Sequence, residues 1–270
     1  MIDFNQPDRY TLSIRLSTDG FSFAIHPDEG GEDVLFCTFH VNPQHSMAAN
    51  VKEFLAETDT LKHAFRQTNI LIHTSRYTPV PFELYEDDQT ELLFYQNLPK
   101  QNNEIILCNI LSKSNIAILF SIDKLTHQLL SDHFPKARFF ASISPTIEYL
   151  TLRSRKNGNS RAEVFAILHQ KSLDLLAFKN QKPVLANSFK ASNMNDKCYY
   201  LLNLWKQLNL DQQQDVLYVD SKQPKQDLMK SLALYLQNII FINPRTEFTE
   251  TATSRIEGIS SDILCLISCE

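Results

Sequence analysis

Glycine is what this chain lacks most. Its 270 residues hold five, Gly20, Gly30, Gly31, Gly158 and Gly258, where average usage of ~7% would supply roughly 19. Loops that cradle phosphates need a backbone free to adopt φ > 0 or to be approached closely. None of the patterns GxGxxG, GxxxxGK[ST] or GxSxG occurs, and glycines at this spacing admit none of them. The five cysteines are scattered and form no CxxC pair, which leaves a thioredoxin-like motif or a zinc ribbon without footing. Most sit in apolar runs, where a free thiol acts as a small hydrophobe. The eight histidines form no HExxH pair. Cys37 and His40 are three apart, so on a strand they face opposite sides and cannot share a metal. No metal ligand set is therefore expected.

Basic surplus is missing too. The net charge is −5, which argues against a general binder of nucleic acid or anionic membrane. No uncharged apolar run approaches the ~18 residues of a membrane-spanning helix, so no membrane span is expected. The first ten residues, MIDFNQPDRY, have neither the basic nor the apolar region of a secretion signal. A reduced cytoplasm is the expected compartment.

What is present is patterned like a globular α/β chain, with 43% hydrophobic and 21% charged residues. Tyr10 to Ser17 alternates Leu12, Ile14 and Leu16 with Ser13, Arg15 and Ser17, which predicts a strand with one wet face. Asp19-Gly20 follows, a dipeptide favoured in tight hairpins. Phe21, Phe23 and Ile25 mark a second strand, Gly30-Gly31 a turn, and Val34 to Val41 a third strand. Ser46 is placed to cap a helix with Met47, Val51, Phe54 and Leu55 on one stripe, before a short buried strand from Asn69 to Thr74.

The same order returns from Arg161. Strands at Ala162 to Leu168 and Leu173 to Phe178 flank a turn at Gln170 to Ser172, and Pro183 to Phe189 gives the third. A helix after Asn193 buries Cys198, Leu201, Leu202 and Trp205, and Val216 to Val219 is the buried strand. The span from first to buried strand is 59 residues in one half and 54 in the other, the mark of an old duplication. Pro224 opens a further helix, with a strand at Ile239 to Ile242. The first half is longer, with a helix at Phe82 to Leu98, an inserted hairpin at Glu104 to Ile122, a helix at Asp123 to Phe134 and a strand at Arg138 to Ser142. Arg153 to Arg161 reads as a polar, flexible connection, dividing the chain into 1–155 and 156–270. Ile256 to Cys269 suits helix or strand.

A three-stranded meander followed by helix, strand, helix and strand, occurring twice, resembles the ribonuclease H-like unit duplicated in the actin-like ATPase fold. The chain as a whole is similar to an uncharacterised bacterial family assigned to that fold. More distant comparisons are the actin-like cytoplasmic proteins of type IV pili and type II secretion. In active members, ATP phosphates and magnesium sit between two glycine-bearing hairpin turns, one per half, and a glycine pair meets the adenosine. The resemblance therefore implies a phosphate site at Ser17-Thr18-Asp19-Gly20 and His169-Gln170-Lys171-Ser172, and an adenosine site near Asn243-Pro244-Arg245. Only the first of these keeps a glycine.

Asp19, Gly20, Asp220 and Ser221 are accordingly the cleft candidates, with Asp220 either a ligand group or the polar end of its strand. The carboxylates of a nuclease are missing: the first strand of the first half has none, and Glu163 stands alone at the start of its counterpart. Arg153, Arg155, Lys156 and Arg161 read as a solvated interdomain loop, and Glu83, Glu86, Asp87, Asp88 and Glu91 as a wet helix face. Tyr199 and Tyr200 are either a partner-binding edge or half-buried against a strand. The expectation is a non-enzymatic protein-binding or scaffolding protein on a degenerate actin-like fold, with a protein partner and no cofactor. The alternative is a divergent Mg-ATP-binding protein or ATPase using the same cleft.

Overall fold

A computed structural model describes residues 2–27, 34–158, 161–221, 226–243, 247–248 and 256–269. The Gly30-Gly31 turn, the Pro224 helix start and Pro244-Arg245 lie outside the described residues.

The first sheet takes β1 (Tyr10–Ser17), β2 (Gly20–Pro27), β3 (Leu35–Phe39), β4 (Gln67–Ile72) and β8 (Arg138–Ala141), in the order β3-β2-β1-β4-β8. The second takes β9 (Glu163–Leu168), β10 (Ser172–Lys179), β11 (Lys182–Lys190), β12 (Val216–Asp220) and β13 (Asn238–Phe241), in the order β11-β10-β9-β12-β13. In both, the first three strands run antiparallel and the last two join in parallel. Strand for strand, the two sheets share one topology.

Helix α1 (Met47–Glu57) is capped by Ser46, whose Oγ accepts from Ala49 N–H at 3.2 Å. Its Val51 and Phe54 are fully buried. Helix α5 (Met194–Gln207) is its counterpart, capped by Asn193 through the N–H of Asp196 at 2.9 Å. It buries Leu201, Leu204 and Trp205. Between β4 and β8 stand β5 (Tyr77–Pro81), α2 (Thr90–Asn97), β6 (Glu104–Leu111), β7 (Ile116–Asp123) and α3 (Lys124–His133). The inserted hairpin is β6–β7, and β5 completes it as a three-stranded antiparallel sheet, β5-β7-β6.

Three local expectations are corrected. The first concerns Phe82 to Leu98, which is not one helix. Two short 3-10 turns precede α2, because Tyr85 is extended and its hydroxyl reaches Thr90 Oγ1 at 3.1 Å. Glu83, Glu86 and Asp87 would also crowd like charges on one helical face, and all three are exposed. The second concerns Arg153 to Asn157, which are not a loop. They form the end of α4 (Ile143–Asn157), closed by Gly158 at φ +61°.

The third concerns β1, which has no wet face. All eight of its residues are buried, Arg15 among them. The polar face is covered by the C-terminal segment, which is helical: α7 (Ser261–Cys269) follows the short α6 (Gln226–Leu232). Although α7 belongs to the second half of the sequence, it packs along α4 and against Ala24 and Phe36 of the first sheet. The main core likewise joins Leu12, Ile14 and Phe54 to Phe165, Phe178 and Tyr218. Arg153 lies over the rings of Tyr218 and Phe165, at 4.4 and 5.4 Å from their centroids. It also pairs with Glu247, and with Glu163 at 3.4 Å. It is therefore a cross-half tie, not part of a solvated basic cluster. One continuous core spans the two halves.

Candidate functional site

The carboxyl ends of the central parallel strands face one another between the two sheets, the usual place for a ligand in an α/β sheet. A cavity of about 680 Å³ opens there. Asp19, Asp220 and Ser221 all line it. Gly20 does not; its φ is +137°, and it serves the turn from β1 to β2. The start of α4 (Ser142, Ile143), of α5 (Asn193, Met194) and of α7 (Ser260, Ser261) also reach the cavity. Three helices thus turn their N-terminal ends, and with them a positive dipole end, toward one space.

The charges around this space are mostly engaged. Arg15 Nε donates to Asp262 Oδ2 at 2.5 Å, tying β1 to α7. Burial pushes the Asp262 carboxyl up, but the Arg15 guanidinium together with the Ser260 side chain and the neighbouring His73 holds the group below the usual carboxylate range. Burial pushes Asp220 up, against the opposing pull of the Ser261 hydroxyl. Lys197 Nζ donates to the His169 carbonyl at 2.6 Å, fixing the turn between β9 and β10.

The two hairpin turns come into contact. Gln170 N–H, from the second turn, lies 3.5 Å from Asp19 Oδ2 of the first. His169 Nε2 is 2.9 Å from Asp174 Oδ2 on β10. The ring of His73, just beyond β4, sits 4.0 Å from that of His169 between centroids, at an interplanar angle of 40°. Burial, then the neighbouring His169, lowers the His73 pKa to about 4, so its imidazole is uncharged at neutral pH.

Neither His73 nor its nearness to His169 is legible in the sequence. The two residues are 96 apart, and only the paired topology brings the ends of β4 and β9 together. Tyr200 stacks on Phe189 of β11 at 4.5 Å, while Tyr199 stands 65% exposed. The pair thus divides between the two readings offered for it. Among the described residues, no helix is long and apolar enough to cross a membrane.

Two sheets of matched ribonuclease H-like topology around a shared cleft define a protein of the actin-like ATPase fold. The profile of a family described as "Protein of unknown function (DUF3822)" matches residues 1–239, and the chain belongs to that family. A crystal structure from Bacteroides thetaiotaomicron VPI-5482, of a protein with actin-like ATPase fold and unknown function, is 36% identical, with 100% of both chains covered and a TM-score of 0.91. A structure of the PilM-PilN type IV pilus biogenesis complex is similar at 12% identity, covering 97% of this chain and 95% of that one, with a TM-score of 0.56. That second likeness is one of fold alone. A comparison with the curated proteins finds no match.

Proposed function

We propose that this chain is a non-enzymatic binding protein that holds a protein partner at the cleft between its halves. The observation that carries the reading is the contact between the two hairpin turns. In the ATPases that share the fold, phosphates lie between these turns and receive their N–H groups. Here the Gln170 N–H faces the Asp19 carboxylate at 3.5 Å, a group that repels a phosphate. Lys197, which also lines the cavity, donates to the His169 carbonyl. This arrangement supports a cleft without nucleotide phosphates over a Mg-ATP site.

The cavity beyond the turns mixes polar groups with Ile143, Ile167, Leu168, Met194 and Ile259. A lining of apolar surface with a few placed polar groups suits a peptide segment as well as a small molecule. A protein of this fold also occurs in a pilus biogenesis complex, which supports a protein as the occupant. The alternative, a nucleotide held without the usual glycines, is favoured by the three helix N-termini that face the cavity.

The test is affinity capture of the native protein alongside Ser221→Trp and Met194→Trp, with Leu234→Ser as a surface control. Leu234 is 79% exposed and lies away from the cavity lining. The expected result is a specific co-purifying protein that both tryptophan variants lose and the control keeps. Capture that survives both tryptophans places binding elsewhere and contradicts the proposal.

A further inference from the structure

We propose that His73, His169 and Asp174 form a metal site that clamps the two halves of the chain together, taking a first-row divalent transition ion such as zinc. This goes beyond the binding reading above and does not depend on it. Each of the three side chains offers one ligand atom, and these atoms all lie within 4.8 Å of one another. Bonds of about 2.0–2.2 Å in a tetrahedral zinc site set ligand atoms roughly 3.3–3.6 Å apart. Closing onto an ion therefore takes side-chain adjustments of about an ångström.

The scaffold around the three residues is fixed. His73 N–H donates to the Leu16 carbonyl at 2.9 Å, and His169 N–H to that of Ser172 at 3.1 Å. His73 Nδ1 lies 3.3 Å from Ser142 Oγ. That contact orients the ring and leaves Nε2 for an ion, as outer partners of ligating histidines do. A buried His169–Asp174 hydrogen bond alone would account for one carboxylate oxygen. It leaves Asp174 Oδ1 buried and without a hydrogen-bond partner, on a side chain 4% exposed. It also gives no reason for a second imidazole packed against the first. An ion accounts for both.

Two imidazoles and a carboxylate select zinc, cobalt, nickel, manganese or iron over magnesium and calcium, which prefer all-oxygen shells. His73 comes from the first half, and His169 and Asp174 from the second. The three stand where two spaces meet: His169 and Asp174 line the large cavity, while His73 lines a pocket of about 300 Å³ on the first-half side. A bound ion cross-links the lobes at the floor of the cleft and fixes its opening.

The test uses the full chain, stripped with a chelator and titrated with Zn²⁺ by calorimetry and with Co²⁺ by visible absorption. The expected result is one ion per chain, with the strong d–d bands of low-coordinate cobalt. His169→Gln and Asp174→Asn should each lose stoichiometric binding, whereas exposed His40→Ala and His133→Ala retain it. Metal-free melting of each variant separates loss of the site from loss of the fold; a variant that melts early is replaced by His73→Gln. Hydrogen exchange on adding Zn²⁺ should slow both at the end of β4 and in the turn from β9 to β10. Absence of stoichiometric binding to the native chain overturns the proposal. So does binding that survives the ligand substitutions, or protection confined to one half.

Discussion

Arg15 shows how a single residue escapes sequence reading. Its place in the alternation of β1 marks it as solvent-facing, yet it is buried against Asp262, 247 residues away. No local pattern signals a partner at that distance; only the packing of α7 on β1 supplies it. Removing one member of a buried pair strands the other charge, at a cost of about 3–5 kcal/mol. Arg15→Ala should therefore destabilise the protein by that order near neutral pH, measured by urea denaturation, and Arg15→Ala/Asp262→Ala should recover part of the loss. The pH dependence has a definite sign. A carboxyl depressed in the folded state favours folding above its unfolded value, near ~3.9, and this contribution vanishes as pH falls through the folded value. With Arg15 gone, burial raises Asp262 instead. The gap between native and variant should narrow as the medium is acidified toward the unfolded carboxyl value; a gap that widens there contradicts the assignment.

At the scale of elements, the sequence was readable wherever a local rule decides. Strand β2, the cap at Ser46 and the helix after Asn193 are legible, because each depends on neighbours within a few residues. So is the inserted hairpin, though not its third strand β5, whose Tyr77-Thr78-Pro79 carries too little pattern to stand out. The connection between halves reads as a loop because RSRKNGNSR is polar throughout. Its first five residues continue α4, and the helix ends only at Gly158. That glycine sits at φ +61° with nothing within 4 Å of an added Cβ, so a side chain there meets a backbone penalty and no clash. Gly158→Ala should cost about 1 kcal/mol, and Gly158→Asn less, since asparagine tolerates this conformation. The measurement is the denaturant midpoint at unchanged slope. Equal stability of all three proteins would show that the left-handed cap does not end this helix.

At the scale of the molecule, the duplication was legible from order and spacing, and the matched sheet orders agree with it. The candidate site was legible only in outline. Asp19, Asp220 and Ser221 could be placed on the cleft because strand ends and hairpin turns are local features. What the two turns do to each other depends on how the lobes close, through the exchange of α7 onto the first sheet and the tie from Arg153 across to Glu163. That closure sets Gln170 against Asp19, and the central proposal rests on it: that the slot between the turns does not receive phosphates. Calorimetric titration of Mg-ATP into the full chain, paired with thermal melting, tests this most directly. A ligand at ~100 times its dissociation constant stabilises by about 2.7 kcal/mol, which melting would register as a shift of several degrees. The account predicts no binding heat and no shift at millimolar Mg-ATP. One-to-one binding with a clear upward shift, lost in Asp19→Ala, would contradict it.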